Sequence, residues 1–226
     1  MTSIPPRPLS DPPETAAALL SRYPVLHPPV STAGAAVTIV LRDGRSGSEV
    51  EALLIERATN PEDPASGEVA LPGGRVDERD GSLAGTAMRE LREEVGLSTP
   101  DLSGPLRFVG AVPAPRFGLH VGVFTAGLSE AAGPPTIGSP GEVAHVFWLP
   151  AGALTESRLV TRDAQGAARR VFATVHEGHV IWGFTRRVLR DFFGLPAEDS
   201  PDGPVLPQHP NGPPGTQNGD PSPSSG

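Results

Sequence analysis

Apolar and polar positions along the chain follow two rhythms. Residues 34–41 (GAAVTIVL) are almost continuously apolar, and 50–55 (VEALLI) repeat that character after a polar interval. Short runs of this kind, bounded by Gly, Asp and Ser, predict two strands joined across a turn at 43–48. A polar loop spans 58–67. Over 82–95 the spacing changes: Leu83, Ala87, Leu91 and Val95 recur every four residues, which predicts a helix with one buried stripe. Gly96 follows where such a helix would stop.

Further strands are predicted at 106–112, 119–128, 143–149 and 170–175. A short helix is expected over 14–22, with Ala17 and Leu20 inward, and an amphipathic closing helix over 180–193. Strands interrupted by helices at irregular intervals predict an α/β sandwich, a mixed β-sheet flanked by helices, rather than a doubly wound sheet. No internal repeat is visible.

The ends of the chain change the picture. Residues 1–13 are proline-rich without an apolar stretch, so they read as a flexible N-terminus and not a secretory signal. From 195 to 226 the sequence is mostly Pro, Gly, Ser, Asn and Asp, which cannot bury enough surface to offset the entropy of ordering; it reads as a disordered tail. One domain over 14–194 remains.

Charge and composition exclude several chemistries. The net charge of −8 argues against general binding to nucleic-acid backbones. There is no cysteine, which removes disulfides, thiolate zinc sites, iron–sulfur clusters and thiol nucleophiles. Every basic side chain other than histidine is arginine, so neither a Walker lysine nor Schiff-base chemistry is available. No apolar run is long enough to span a bilayer. The expectation is a cytoplasmic protein with a small-molecule substrate and neither a nucleic-acid nor a membrane partner.

The informative stretch is residues 73–97, GGRVDERDGSLAGTAMRELREEVGL. On a helix, Glu90, Glu93 and Glu94 fall within an arc of roughly 100°. Three carboxylates so close repel one another, and a divalent cation would relieve them; hard oxygen ligands suit Mg²⁺ or Mn²⁺. The alternative is a solvated face on which Arg89 pairs with Glu93 at i,i+4. Gly73 and Gly74, just before the helix, favour the first reading because they let backbone approach a ligand closely.

This stretch resembles the Nudix box: a glycine, five residues, an acid, then R-E-hydrophobic-x-E-E-x-G-hydrophobic. Gly74, Arg89, Glu90, Leu91, Glu93, Glu94, Gly96 and Leu97 match. The upstream acid is Asp80 instead of glutamate, and eight residues rather than seven separate it from Arg89. That extension resembles the coenzyme A pyrophosphatase branch, as does SGEVALPGG at 66–74. Residues 142–144 with 147–150 resemble a later strand of many members, and 178–183 resembles the start of their closing helix. The resemblance covers about 34–193.

It implies hydrolysis of a nucleoside diphosphate linked to another group. Glu90, Glu93, Glu94 and the Gly74 carbonyl would hold Mg²⁺ or Mn²⁺, and Arg89 would orient the carboxylates. Glu93, Glu94 and Glu142, the last in a loop before a strand, are the candidates for general base. Arg57, Arg75 and Arg116 are the candidates for phosphate contacts. His120, His145, His176 and His179 read as structural, and Trp148 and Trp182 as core or interface.

Coenzyme A or a derivative is the leading substrate, although 59–64 is acidic where that branch is basic and Leu71 stands in place of its usual Phe. ADP-ribose or a nucleotide sugar is the alternative within the enzyme class, with an oxidised nucleoside triphosphate third. A catalytically silent, nucleotide-sensing Nudix domain is the alternative from another class; its mark, a lost box glutamate, is missing here. A homodimer would be in keeping with the family, but the sequence leaves oligomeric state open.

Overall fold

The computed structural model describes residues 15–44, 49–60, 65–164, 167–196 and 198. The expected flexible N-terminus, residues 45–48 of the expected turn, residues 61–64 of the 58–67 loop and nearly all of the expected tail lie outside these residues.

Seven strands form the main sheet: β1 (Ala35–Asp43), β2 (Val50–Arg57), β3 (Val69–Ala70), β4 (Gly73–Arg75), β5 (Arg107–Ala114), β6 (Leu119–Gly127) and β7 (Val143–Pro150). Their order is β3-β2-β1-β6-β5, with β4 also on β1 and β7 on β2. β1 and β6 run parallel over seven residue pairs, whereas the other pairings are antiparallel. A second sheet joins β8 (Arg158–Ala164), β9 (Ala167–His176) and β10 (His179–Trp182) in the order β10-β9-β8.

Strand alternation gives the main sheet two apolar faces. Ile39, Leu41, Leu54, Val123 and Leu149 face one way. They pack with Leu19 and Leu20 of α1 (Ala16–Leu20) and with Val188, Leu189 and Phe192 of α3 (Gly183–Phe192). Ala36, Val40, Leu53, Ile55 and Phe124 face the other way, against Leu83, Ala87, Leu91 and Val95 of α2 (Leu83–Val95). The expected stripe is the buried one, and the α/β sandwich, a mixed sheet flanked by helices, is the architecture observed.

The closing helix begins later than its sequence suggests. Residues 179–182 are a strand, and α3 starts at Gly183. His176 opposes His179 across Glu177 (φ 49°) and Gly178 (φ 87°), a two-residue turn whose positive φ values match the twist of a hairpin. Val180, Ile181 and Trp182 then suit a strand as well as they suit the first turn of a helix.

Beyond α3, residues 195, 196 and 198 lie against the body. Leu195 packs on the core, Arg190 Nη2 donates to Pro196 O at 2.8 Å, and Arg186 Nη2 donates to Glu198 Oε1 at 2.8 Å. Arg190 Nη1 also donates to Leu154 O at 2.6 Å. Two buried guanidiniums of α3 thereby hold segments on either side of it, and ordered packing runs past residue 195.

Candidate functional site

Helix α2 is fixed at both ends. Ser82 Oγ accepts from Gly85 N at 3.1 Å, and the chain leaves at Gly96 in a left-handed conformation. Its apolar stripe seats it on β1 and β6, and this leaves Glu90 and Glu94 turned toward β4 while Glu93 faces outward. The pattern that buries the helix therefore also buries two acids.

Glu94 is 2% exposed, and its Oε2 accepts from Gly73 N at 2.8 Å. Burial pushes its pKa up to about 8, with Glu90 and Glu142 adding to the rise and Arg57 opposing it. Glu90 is raised in the same way, by burial first. It sits so close to β4 that a methyl group on Gly74 would lie 2.3 Å from its Oε1. A side chain at this position would force the Glu90 carboxylate to move, so Gly74 is the seat of that carboxylate, while Gly73 N holds Glu94.

Arg89 binds the acids into one network. Its Nε and Nη2 donate to Asp80 at 2.8 and 3.1 Å, and its Nη1 donates to Glu90 at 2.8 Å and Glu93 at 3.0 Å. Nη2 also reaches Arg75 O at 2.9 Å. Asp80 accepts from Asp77 N at 2.8 Å, and Arg89 holds its carboxyl down at about 2. The ion pairing that defines a solvated helix face is present at Glu93, which is 43% exposed along its side chain.

A divalent cation fits the donor chemistry of this site. Two neighbouring carboxylates are buried with raised pKa values, beside main chain that approaches without side chains, and positive charge there would stabilise their ionised forms. In the arrangement observed, no group of three or more His, Asp or Glu among the described residues converges as a ready-made metal site. Arg89 holds Glu90 and Glu93, and Gly73 N holds Glu94.

The other candidates fall in two places. Arg57 ends β2 near Glu94, and Glu142 is exposed in the loop before β7, near enough to bear on both buried acids. Arg75 ends β4 with its side chain exposed. Arg116 lies in the β5–β6 turn, its Nη1 donating to Glu68 Oε1 at 2.6 Å and its guanidinium 5.9 Å from the Trp182 ring. Arg42 covers the ring of Trp148 at 4.1 Å. His179, read as structural, hydrogen-bonds Glu56 at 2.7 Å and stacks on Phe147 at 4.0 Å.

A box of this composition, placed on a helix against a mixed sheet, can be compared with known proteins. The model of the NUDIX domain matches residues 32–173. The chain belongs to the Nudix family. A protein of Citrobacter koseri named uncharacterized Nudix hydrolase NudL is 34% identical over 183 residues, covering 76% of this chain and 90% of that protein. The protein of the same name in Salmonella heidelberg matches to the same extent. Among solved structures, the M. smegmatis Nudix hydrolase RenU is 22% identical, with a TM-score of 0.42 over 54% of this chain and 73% of that one. A MutT/nudix family protein of Enterococcus faecalis is 16% identical, with a TM-score of 0.47 over 78% and 67%.

As a Nudix hydrolase, the protein is a pyrophosphohydrolase of a family that generally uses divalent metal ions. Sequence reasoning on this Nudix domain missed three features: the anchoring of Arg89 by Asp80, the Glu56–His179 pair, and the bonds that tie the Glu142 loop to α2. The acid-to-arginine spacing signalled the first; the others join residues far apart in the chain. No helix among the described residues is long and apolar enough to cross a membrane.

Proposed function

We propose that this Nudix hydrolase cleaves the pyrophosphate bond of a nucleoside diphosphate joined to a second group, with coenzyme A or a derivative as substrate and Mg²⁺ or Mn²⁺ as the ion. The observation that carries the reading is the pair of buried carboxylates, Glu90 and Glu94, against Gly73 and Gly74. Glu90, Glu93, Glu94 and the Gly74 carbonyl would hold the ion, which would supply neutralisation of phosphate charge and acidification of the attacking water.

The chain's own residues do the rest. Arg89 positions Glu90 and Glu93, and Asp80 fixes Arg89. Glu142 and Glu93, both exposed, are the carboxylates best placed to accept a proton from water, since Glu94 is buried and engaged by Gly73 N. Arg57 and Arg75, at the ends of β2 and β4, contact phosphate oxygens; Arg116 contributes from the hairpin turn. Support for coenzyme A lies in the SGEVALPGG approach and the extended box spacing. Glu62 and Asp63, acidic where the coenzyme A branch is basic, keep ADP-ribose or a nucleotide sugar as the second reading.

The test is a hydrolysis screen with Mg²⁺ and Mn²⁺ on coenzyme A, ADP-ribose, NADH, dinucleoside polyphosphates and oxidised triphosphates, with products resolved by mass. Release of 4′-phosphopantetheine from coenzyme A is the expected result. Cleavage of ADP-ribose alone would replace the substrate and keep the chemistry. No cleavage with either ion would favour a nucleotide-sensing domain.

A further inference from the structure

We propose that Ser139 and Gly138 are positioning residues which set the reach of Glu142, so that α2 places a third carboxylate as well as its own. This rests on the reading that Glu142 works with Glu90 and Glu94.

The last turn of a helix leaves carbonyl groups without partners inside it. In α2 the loop between β6 and β7 satisfies three of them: Ser139 Oγ donates to Glu93 O at 2.9 Å, Gly138 N to Glu94 O at 3.0 Å, and Thr136 N to Val95 O at 3.0 Å. Ser139 then turns the chain back, because its carbonyl accepts from both Glu142 N and Val143 N at 2.9 Å. At the far side, Ala58 N donates to Glu142 O at 2.8 Å, one residue beyond Arg57. A relay of main-chain and hydroxyl bonds thus runs from Glu93 through Ser139 to Glu142.

Gly138 makes the contact possible. A methyl group there would lie 2.4 Å from Glu93 O and 3.1 Å from its carbonyl carbon, so any side chain lifts the loop off the helix. Both acids flanking this junction belong to the box, and the charge of Glu142 bears on Glu90 and Glu94. A loop that only connected two elements would not need its first half fastened to one side of the site and its last residue to the other.

The experiment combines kinetics with amide exchange on the full chain. On the compound of the screen that is cleaved fastest, Ser139→Ala and Gly138→Ala should each lower kcat about tenfold with KM within twofold. Ser139→Thr, which keeps the hydroxyl, should restore kcat. In a Glu142→Gln background, Ser139→Ala should have no further effect. Amides of Glu142 and Val143 should exchange faster in Ser139→Ala, while those of residues 87–91 stay protected.

A full Ser139→Ala effect in the Glu142→Gln background would overturn the proposal, as would unchanged exchange at 142–143. So would wild-type turnover by Glu142→Gln, which leaves the hydrolase reading intact. If the wild type cleaves nothing, the functional reading alone falls, and exchange still decides whether Ser139 holds the loop.

Discussion

Gly73 N donates to Glu94 Oε2 at 2.8 Å, so a carboxylate that is almost wholly buried is tied to the strand beside its helix. That single bond opposes the desolvation of Glu94 without cancelling it, which is why its pKa stands near 8. Ionising Glu94 in this setting costs the fold stability.

Stability without metal should therefore fall as pH rises. The folded pKa of about 8 lies above the ordinary 4.5, so the folded state keeps a proton that the unfolded chain has lost. The contribution is fully present below about pH 4.5 and is lost as pH rises through about 8. In EDTA, Tm should drop between pH 5 and pH 8, by stability on the order of a few kcal/mol. Glu94→Gln should flatten that slope and lower kcat by a factor of about 10² or more. An unchanged slope in the variant would mean that another group sets it.

Asp80→Asn should cost about 2 kcal/mol in denaturant unfolding, because Arg89 loses the acid that accepts from both its Nε and its Nη2. Asp80 has the opposite sign from Glu94. Its pKa of about 2 lies below the ordinary 3.8, so its stabilisation is present above pH 4 and lost as pH falls through 2. A variant as stable as wild type at pH 7 would reject this anchoring role.

Gly74→Ala pushes a methyl group into the Glu90 carboxylate. Affinity for Mn²⁺, followed by titration, should weaken by about 10- to 100-fold while far-UV circular dichroism stays unchanged. Unweakened binding would place the ion elsewhere.

Arg116→Met should raise KM at least fivefold with kcat retained if the hairpin arginine binds ground state and transition state alike. Glu68→Ala removes the 2.6 Å acceptor of Arg116 Nη1 and should shift KM in the same assay without loss of kcat. Equal KM values throughout would leave Arg116 a purely structural ion pair.

His179→Phe keeps a ring against Phe147 but loses the 2.7 Å bond to Glu56; His179→Ala loses both. The first should cost about 1 kcal/mol and the second clearly more, read by chemical denaturation. Turnover should change little in either.

Legibility in the sequence followed the range of the interactions. Leu83, Ala87, Leu91 and Val95 announce their helix because periodicity is local, and the acids beside them inherit their positions from it. β3 and β4 leave no trace in the sequence because two- and three-residue strands have no pattern of their own; they exist through pairing with β2 and β1. Val180 to Trp182 misled because an apolar run of that length suits a strand or a helix start, and the turn at Glu177 and Gly178 decides it. Main-chain acceptors such as Glu93 O carry no signature at all, so the anchoring of Ser139 could only be seen in three dimensions.

The parallel contact between β1 and β6 joins residues 35–41 to residues 121–127, and the whole carboxylate helix lies on the chain between them. Closing so long a span is slow compared with forming a helix or a hairpin. A refolding chain can therefore possess α2 well before it possesses the surface on which Glu90 and Glu94 become unusually weak acids. Recovered turnover after denaturation marks the moment when the middle of the sheet shuts, and it should lag behind the return of helical signal.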